Sequence, residues 1–164
     1  MFYFSDTKST KYDPAQGPAE KFGMPYLYKF YDTDAIKKTG QSGLNWNFYR
    51  YADILLMLTE VNWTLRQLGE AVSDNDIIKG INQVRERALL PAYRATDVNL
   101  LTIMSERAYE LIFENKMLWD QRRTRMCLID GDGQFAGIES FFGHRPSDFS
   151  FEFGPMNLLA PISG

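Results

Sequence analysis

The chain has 164 residues, 45% apolar and 24% charged, with a net charge of −3. That balance fits a globular chain with a real core and excludes a wholly disordered one. So small a charge gives no global case for binding nucleic acid, and a single cysteine, Cys127, excludes an intrachain disulfide and a thiolate zinc site.

Three zones follow one another: 1–45, 46–125 and 126–164. The first is rich in Gly, Pro, Asp, Thr and Tyr and reads as loop, with a possible strand over residues 26 to 31. The middle zone is helical. A first helix is predicted from about Phe48 to Leu68, where Ile54, Leu58, Val61, Leu65 and Leu68 form a continuous core stripe, widened by Tyr51, Leu55, Leu56 and Trp63. A second is predicted from Asp74 to Leu89, capped by Ser73 and ended by Pro91. Gly80 sits in its middle at a cost of about 1 kcal/mol relative to Ala, which points to a close approach to the first helix. A third runs from about Val98 to Glu114, with Thr96 or Asp97 as N-cap and Asn115 closing it. A short helical turn follows through Trp119 and Asp120. The last zone returns to Gly, Pro and Phe, with a turn at 131–134 and a short strand at 150–153.

Short connections between antiparallel helices suggest a tetratricopeptide-like hairpin. One such unit cannot bury both of its faces. The far side of the hairpin must be covered by the aromatic loop zones or by residues missing from this chain. The longest apolar run, Ile54 to Leu58, is too short to span a bilayer. The first residues show no basic region, no hydrophobic region and no lipid-attachment cysteine, so export of this chain on its own is not expected.

The stretch "ERAYELIFENKMLWDQRR" (106–123) decides whether the chain reads as an enzyme. Glu106, Glu110 and Glu114 fall on one helical face, and Arg107 can pair with Glu110. Three like charges in line need cations from elsewhere, and Arg85 and Arg87 on the second helix are placed to supply them by bidentate pairing. Acid catalysis needs two carboxylates facing each other across a cleft, which a row on one helix does not provide. The polyanion reading, which would use Arg122, Arg123 and Arg125, is weakened by the acids beside them. An ionic scaffold is the expectation.

"RYADILLMLTE" (50–60), "INQVRERALLP" (81–91), "ERAYELIFENKMLWDQRR" and "LLAPIS" (158–163) occur in this order. Together they resemble the C-terminal signature of the SusD/RagB family. The resemblance covers residues 45 to 125 well and the tail thinly. It implies a mainly α, tetratricopeptide-like fold with further helix, loop-rich segments and short strands at both ends. The chain would be a single partial SusD-like region. The resemblance further implies a surface-exposed outer-membrane lipoprotein of Bacteroidetes. It would bind an oligosaccharide or other nutrient beside a SusC-like TonB-dependent transporter, without enzymatic activity or a cofactor. Arg85, Arg87, Glu106, Arg107, Glu110, Glu114, Asp120 and Arg122 match the family's charged scaffold positions. Leu89 and Asn115 stand where the family usually has Gly, and Ala160 and Ser163 alter the usual ending. Family members are several times longer, so the chain is expected to be a fragment.

Thirteen of the 24 aromatics lie in residues 1 to 51. Tyr and Trp on loops offer flat apolar faces with polar handles, which suit the C–H faces and hydroxyl rims of sugars. The ligand candidates are Tyr12, Tyr26, Tyr28, Tyr31 and Trp46, whose alternative role is to cap the helical core or touch the missing N-terminal part. The lone His144 reads as a solvated loop residue, Cys127 as a small, partly buried side chain, and "DGDGQFAG" (130–137) as a turn. A protein–protein adaptor of the tetratricopeptide kind is the second reading. A glycan-processing enzyme, the third, lacks an identifiable acid–base pair.

Overall fold

The structure is a computed structural model that describes residues 2–3, 26–27, 29–30, 32, 41–132, 134–146 and 150–158. The fold is mainly α, with short strands toward both ends. Two compact units are present, Met1–Trp46 and Asn47–Gly164. In the first, β1 (Phe2–Tyr3) and β2 (Tyr26–Leu27) pair antiparallel, with Tyr3 opposite Tyr26.

The second unit holds α1 (Tyr51–Gln67), α2 (Asp74–Arg87), α3 (Leu100–Glu110), α4 (Met117–Thr124), β3 (Met126–Asp130) and β4 (Phe135–Ser140). α1 starts three residues later than the apolar pattern predicts, because Arg50 is extended at its N-cap (φ −122°, ψ 158°). Ser73 caps α2 by accepting the Asp76 N–H at 3.1 Å. α3 starts at Leu100, behind an Asn99 cap that exchanges hydrogen bonds with Thr102. Thr96 and Asp97 belong instead to a separate 3-10 turn, where the Arg94 guanidinium holds the Asp97 carboxyl below its usual range. α3 stops at Glu110, and Phe113 and Asn115 take left-handed backbone (φ 62° and 58°) in the turn that follows. Leu89 is left-handed as well (φ 57°) just past α2, a conformation that favours glycine.

β3 and β4 form an antiparallel hairpin that periodicity did not reveal, with Leu128 opposite Ile138. Two runs of five and six residues, one interrupted by Gly137, are too short to declare a period. The strand expected at 150–153 is absent. Phe153 instead exchanges single backbone bonds of 2.8 Å with Gly143 and His144. His144 is not a solvated side chain: Nδ1 meets Glu139, and its ring lies 5.7 Å from Phe153.

The main core lies between α1, α2 and the start of α3: Ala52, Leu55, Leu56, Ile77, Ile81, Val84, Val98 and Ile103. A smaller core of Met104, Ala108 and Leu128 seats the hairpin on α3. α1 and α2 approach at Gly80, where a Cβ would lie 2.3 Å from the Leu55 carbonyl oxygen and 2.9 Å from Thr59 Oγ1. Thr59 Oγ1 also accepts the Ile81 N–H at 3.0 Å. This contact sets the buried face of α1. The expected core stripe, Ile54, Leu58, Val61, Leu65 and Leu68, turns outward and is exposed, as is Tyr51.

Gly80→Ala should destabilise the protein by about 1–3 kcal/mol through overpacking, despite the better helix propensity of Ala. A shift of the urea midpoint to lower concentration checks this. Cys127 is fully buried, and burial together with Glu139 pushes its thiol up to about 11 from 9.0. The folded state thus holds this proton more tightly, so its contribution is whole below pH 9.0 and lost as pH rises toward about 11. Iodoacetamide at pH about 8 should leave native Cys127 unmodified and alkylate it on unfolding.

Candidate functional site

The carboxylates of α3 and α4 are all committed to cations. Arg85 Nη1 pairs with Glu106 Oε2 at 2.7 Å, while its Nε donates to the Pro91 carbonyl and its guanidinium covers the Tyr93 ring. Arg87 pairs with Glu110. Arg107 turns away from Glu110: its Nη2 lies 3.0 Å from Asp53 Oδ1, and its Nε donates to Asp120 Oδ2 at 2.7 Å. Arg122 donates to the Asn157 carbonyl and covers Trp119.

Five members of this network escaped notice as partners. Arg50 binds Glu114 through Nε at 2.9 and 3.0 Å and Glu110 through Nη2, and it also caps the Glu110 carbonyl at the end of α3. Burial opposes its charge, but Glu114 and Glu110 outweigh burial and hold the guanidinium above its ordinary range. Asp53 receives Lys116 at 3.1 Å as well as Arg107. Arg123 joins Asp120 to Glu60. The signal was available for Asp53, an acid inside the apolar run "YADILLML" that needs a cation once buried. Arg123 is held by these acids above its ordinary range, and Arg125 donates to the Arg122 carbonyl, so these arginines are engaged with the protein itself.

A cleft of about 570 Å³ opens between the segment entering α1 and the side of α2. Leu55 and Val84 lie at its base, and Asn47, Tyr49, Tyr51, Gln83 and Arg87 line it. Tyr49 and Tyr51 are each 73% exposed. The Lys116 ammonium lies 4.3 Å from the Tyr49 ring centre, and Lys116 also donates to the Phe48 carbonyl at 2.5 Å, which fixes this edge. Two phenols, two amides and a guanidinium around an apolar base can hold a polyhydroxylated ring by stacking and hydrogen bonds. Tyr49 and Tyr51 were not among the expected ligand residues. An aromatic pair around an arginine at a helix start, "YRY", is the signal that marks them.

Of the expected ligand residues, Tyr12, Tyr28 and Tyr31 lie outside the described residues, and Tyr26 is described as backbone in β2. Trp46, in the first unit, is about half exposed and stacks on Phe30 with ring centres 4.7 Å apart at 21°. Nearby in that unit, Asp32 Oδ2 accepts the Ser42 hydroxyl and the Gly43 N–H, both at 3.0 Å. Among the described residues, no group of three or more His, Cys, Asp or Glu could hold a metal, and no helix is long and apolar enough to cross a membrane.

The model of the SusD family matches residues 5–156. A crystal structure of a SusD superfamily protein from Parabacteroides distasonis superposes with a TM-score of 0.69 at 29% identity, covering 96% of this chain and 32% of that one. The chain therefore spans about a third of that relative's length. No curated protein matches the chain.

Arg107→Met should destabilise the unit by about 3–5 kcal/mol, because Asp53 and Asp120 would keep buried charges with a partner removed. Arg94→Ala, at an exposed pair, should leave the denaturation midpoint unmoved. Parallel chemical denaturation of the two variants checks both.

Proposed function

The chain belongs to the SusD family, and on that premise we propose that it is part of a non-enzymatic glycan- or nutrient-binding protein of an outer-membrane uptake system. The observation that carries the reading is the cleft beside α1. Its exposed tyrosines, amides and arginine match the needs of a sugar, an apolar face ringed by hydroxyls. The carboxylates of α3 and α4 are tied into ion pairs, which suits a scaffold and leaves no facing pair poised for acid–base work. In this reading the longer protein sits at the cell surface and passes its ligand to a SusC-like TonB-dependent transporter. Trp46, stacked on Phe30, is a second aromatic platform within the first unit.

Affinity electrophoresis against a panel of polysaccharides, followed by calorimetry with the oligosaccharides of any retained polymer, tests the reading. Tyr49→Ala combined with Tyr51→Ala should weaken binding about tenfold or more while leaving the thermal midpoint unchanged, since both side chains are exposed. Trp46→Ala should weaken it by a smaller factor. Retention of no polysaccharide, or cleavage of one, would overturn the proposal.

A further inference from the structure

The cleft beside α1 is lopsided in charge. Among the described residues its lining holds two guanidinium groups, Arg50 and Arg87, and no carboxylate. Glu110 and Glu114 balance those charges, but neither lines the cleft. The two arginines differ in what they have left to give. Arg50 is spent: its Nε and Nη2 donate to Glu114, to Glu110 and to the Glu110 carbonyl, and its side chain is 23% exposed. The Arg87 side chain is 60% exposed and pairs with Glu110 through Nη2. Its Nε and Nη1 donors have no acceptor among the described residues. Neither do the side chains of Asn47, Tyr49, Tyr51 and Gln83 make a hydrogen bond there.

A neutral sugar offers hydroxyls that donate as well as accept, so a site tuned to it gains from a carboxylate acceptor. This cleft keeps its carboxylates behind the arginines and turns a charged donor outward. A guanidinium only donates, and its strongest partner is an anionic oxygen. Arg50 also holds Glu110, so Arg87 can turn toward a ligand without leaving that carboxylate unpaired. Gln83 and Arg87 lie one turn apart on α2, with Cβ atoms about 5–6 Å apart by helix geometry, a spacing that spans adjacent substituents of one sugar ring. The chain as a whole carries a net charge of −3, so polyanions are not drawn to it by global charge, and a preference for an acid must come from this edge.

Resting on the glycan-binding reading above, we propose that the cleft takes an acidic sugar, and that Arg87 binds its anionic substituent, a carboxylate or a sulfate ester. Tyr49 and Tyr51 offer their rings to the C–H faces of the sugar. The amides of Asn47 and Gln83 bond the hydroxyls beside the charged group. The planar fork of Arg87 selects the acid over its neutral counterpart.

The probes are polymers matched in all but charge: polygalacturonate and hyaluronan against their methyl esters, and dextran sulfate against dextran. Affinity electrophoresis of the 164-residue chain ranks them together with the neutral polysaccharides, and calorimetry with the derived oligosaccharides gives the ratios. The tightest-bound polymer should be acidic and should exceed its uncharged counterpart about tenfold or more. A preference within a methyl-ester pair assigns the carboxylate, and one within the dextran pair assigns the sulfate. Arg87→Gln should collapse the ratio to about two or less, while Arg87→Lys, which keeps the charge and loses the fork, should retain part of it. Both variants should keep the thermal midpoint, since Arg87 is largely exposed and Arg50 still holds Glu110. A duplex DNA oligonucleotide, a polyanion without the sugar acid, should not compete. A neutral polymer bound tightest, equal binding within every pair, or a ratio indifferent to Arg87→Gln would overturn the proposal and leave the glycan-binding reading in place. Competition by the DNA would overturn it by reducing the preference to plain charge attraction. Retention of no polymer, acidic or neutral, would remove both.

Discussion

Asp53 sits in the first turn of α1 with its side chain almost wholly buried, and burying a carboxylate is costly unless cations pair with it. Arg107 of α3 and Lys116 at the start of α4 meet that demand. Arg107 also holds Asp120, Asp120 holds Arg123, and Arg123 returns to Glu60 on α1. The charges alternate along a chain that leaves α1 at Asp53, passes through α3 and α4 and returns to α1 at Glu60, so rotating any of these three helices separates a pair. Directional bidentate contacts of this sort fix orientation better than apolar contact alone.

A second set of pairs orders the other side. Arg50 joins the start of α1 to the end of α3 through Glu110 and Glu114, and Arg85 and Arg87 tie α2 to α3. Arg50 is also one of the residues lining the cleft, with its guanidinium occupied by the scaffold. The tyrosines on either side of it are thereby held on a fixed backbone while their rings stay exposed. A binding surface built on such an edge is positioned by the same charges that hold the helices together, which reduces the ordering cost of taking up a ligand.

Helix positions were largely legible in the sequence. Ser73, Gly69 and Pro91 punctuate the chain at the expected places, and Gly80 marks the closest approach of two helices. The face of α1 that packs was not legible. The stripe of Ile54, Leu58, Val61, Leu65 and Leu68 gave the stronger periodic signal, yet contact with α2 selected Ala52, Leu55, Leu56 and Thr59, where Gly80 lets the α1 backbone at Leu55 and the Thr59 hydroxyl come close. The hairpin over 126–140 was hidden by its brevity. The cleft tyrosines were overlooked because Tyr51 reads as part of a helical core until the helix start is seen to leave it outside.

What the sequence determined by itself was the kind of protein: four ordered motifs that mark the family, helices bounded by their own caps and breakers, and a row of acids that demanded arginines. Those features depend on near neighbours and fixed spacing, which a linear chain displays. Tertiary structure decided which arginine answers which acid, which side of α1 faces inward, and where aromatic and polar groups converge on one cleft. Each of these depends on residues tens of positions apart meeting in space, such as Arg50 with Glu114 and Asp53 with Arg107, and helical periodicity carries no information about such meetings.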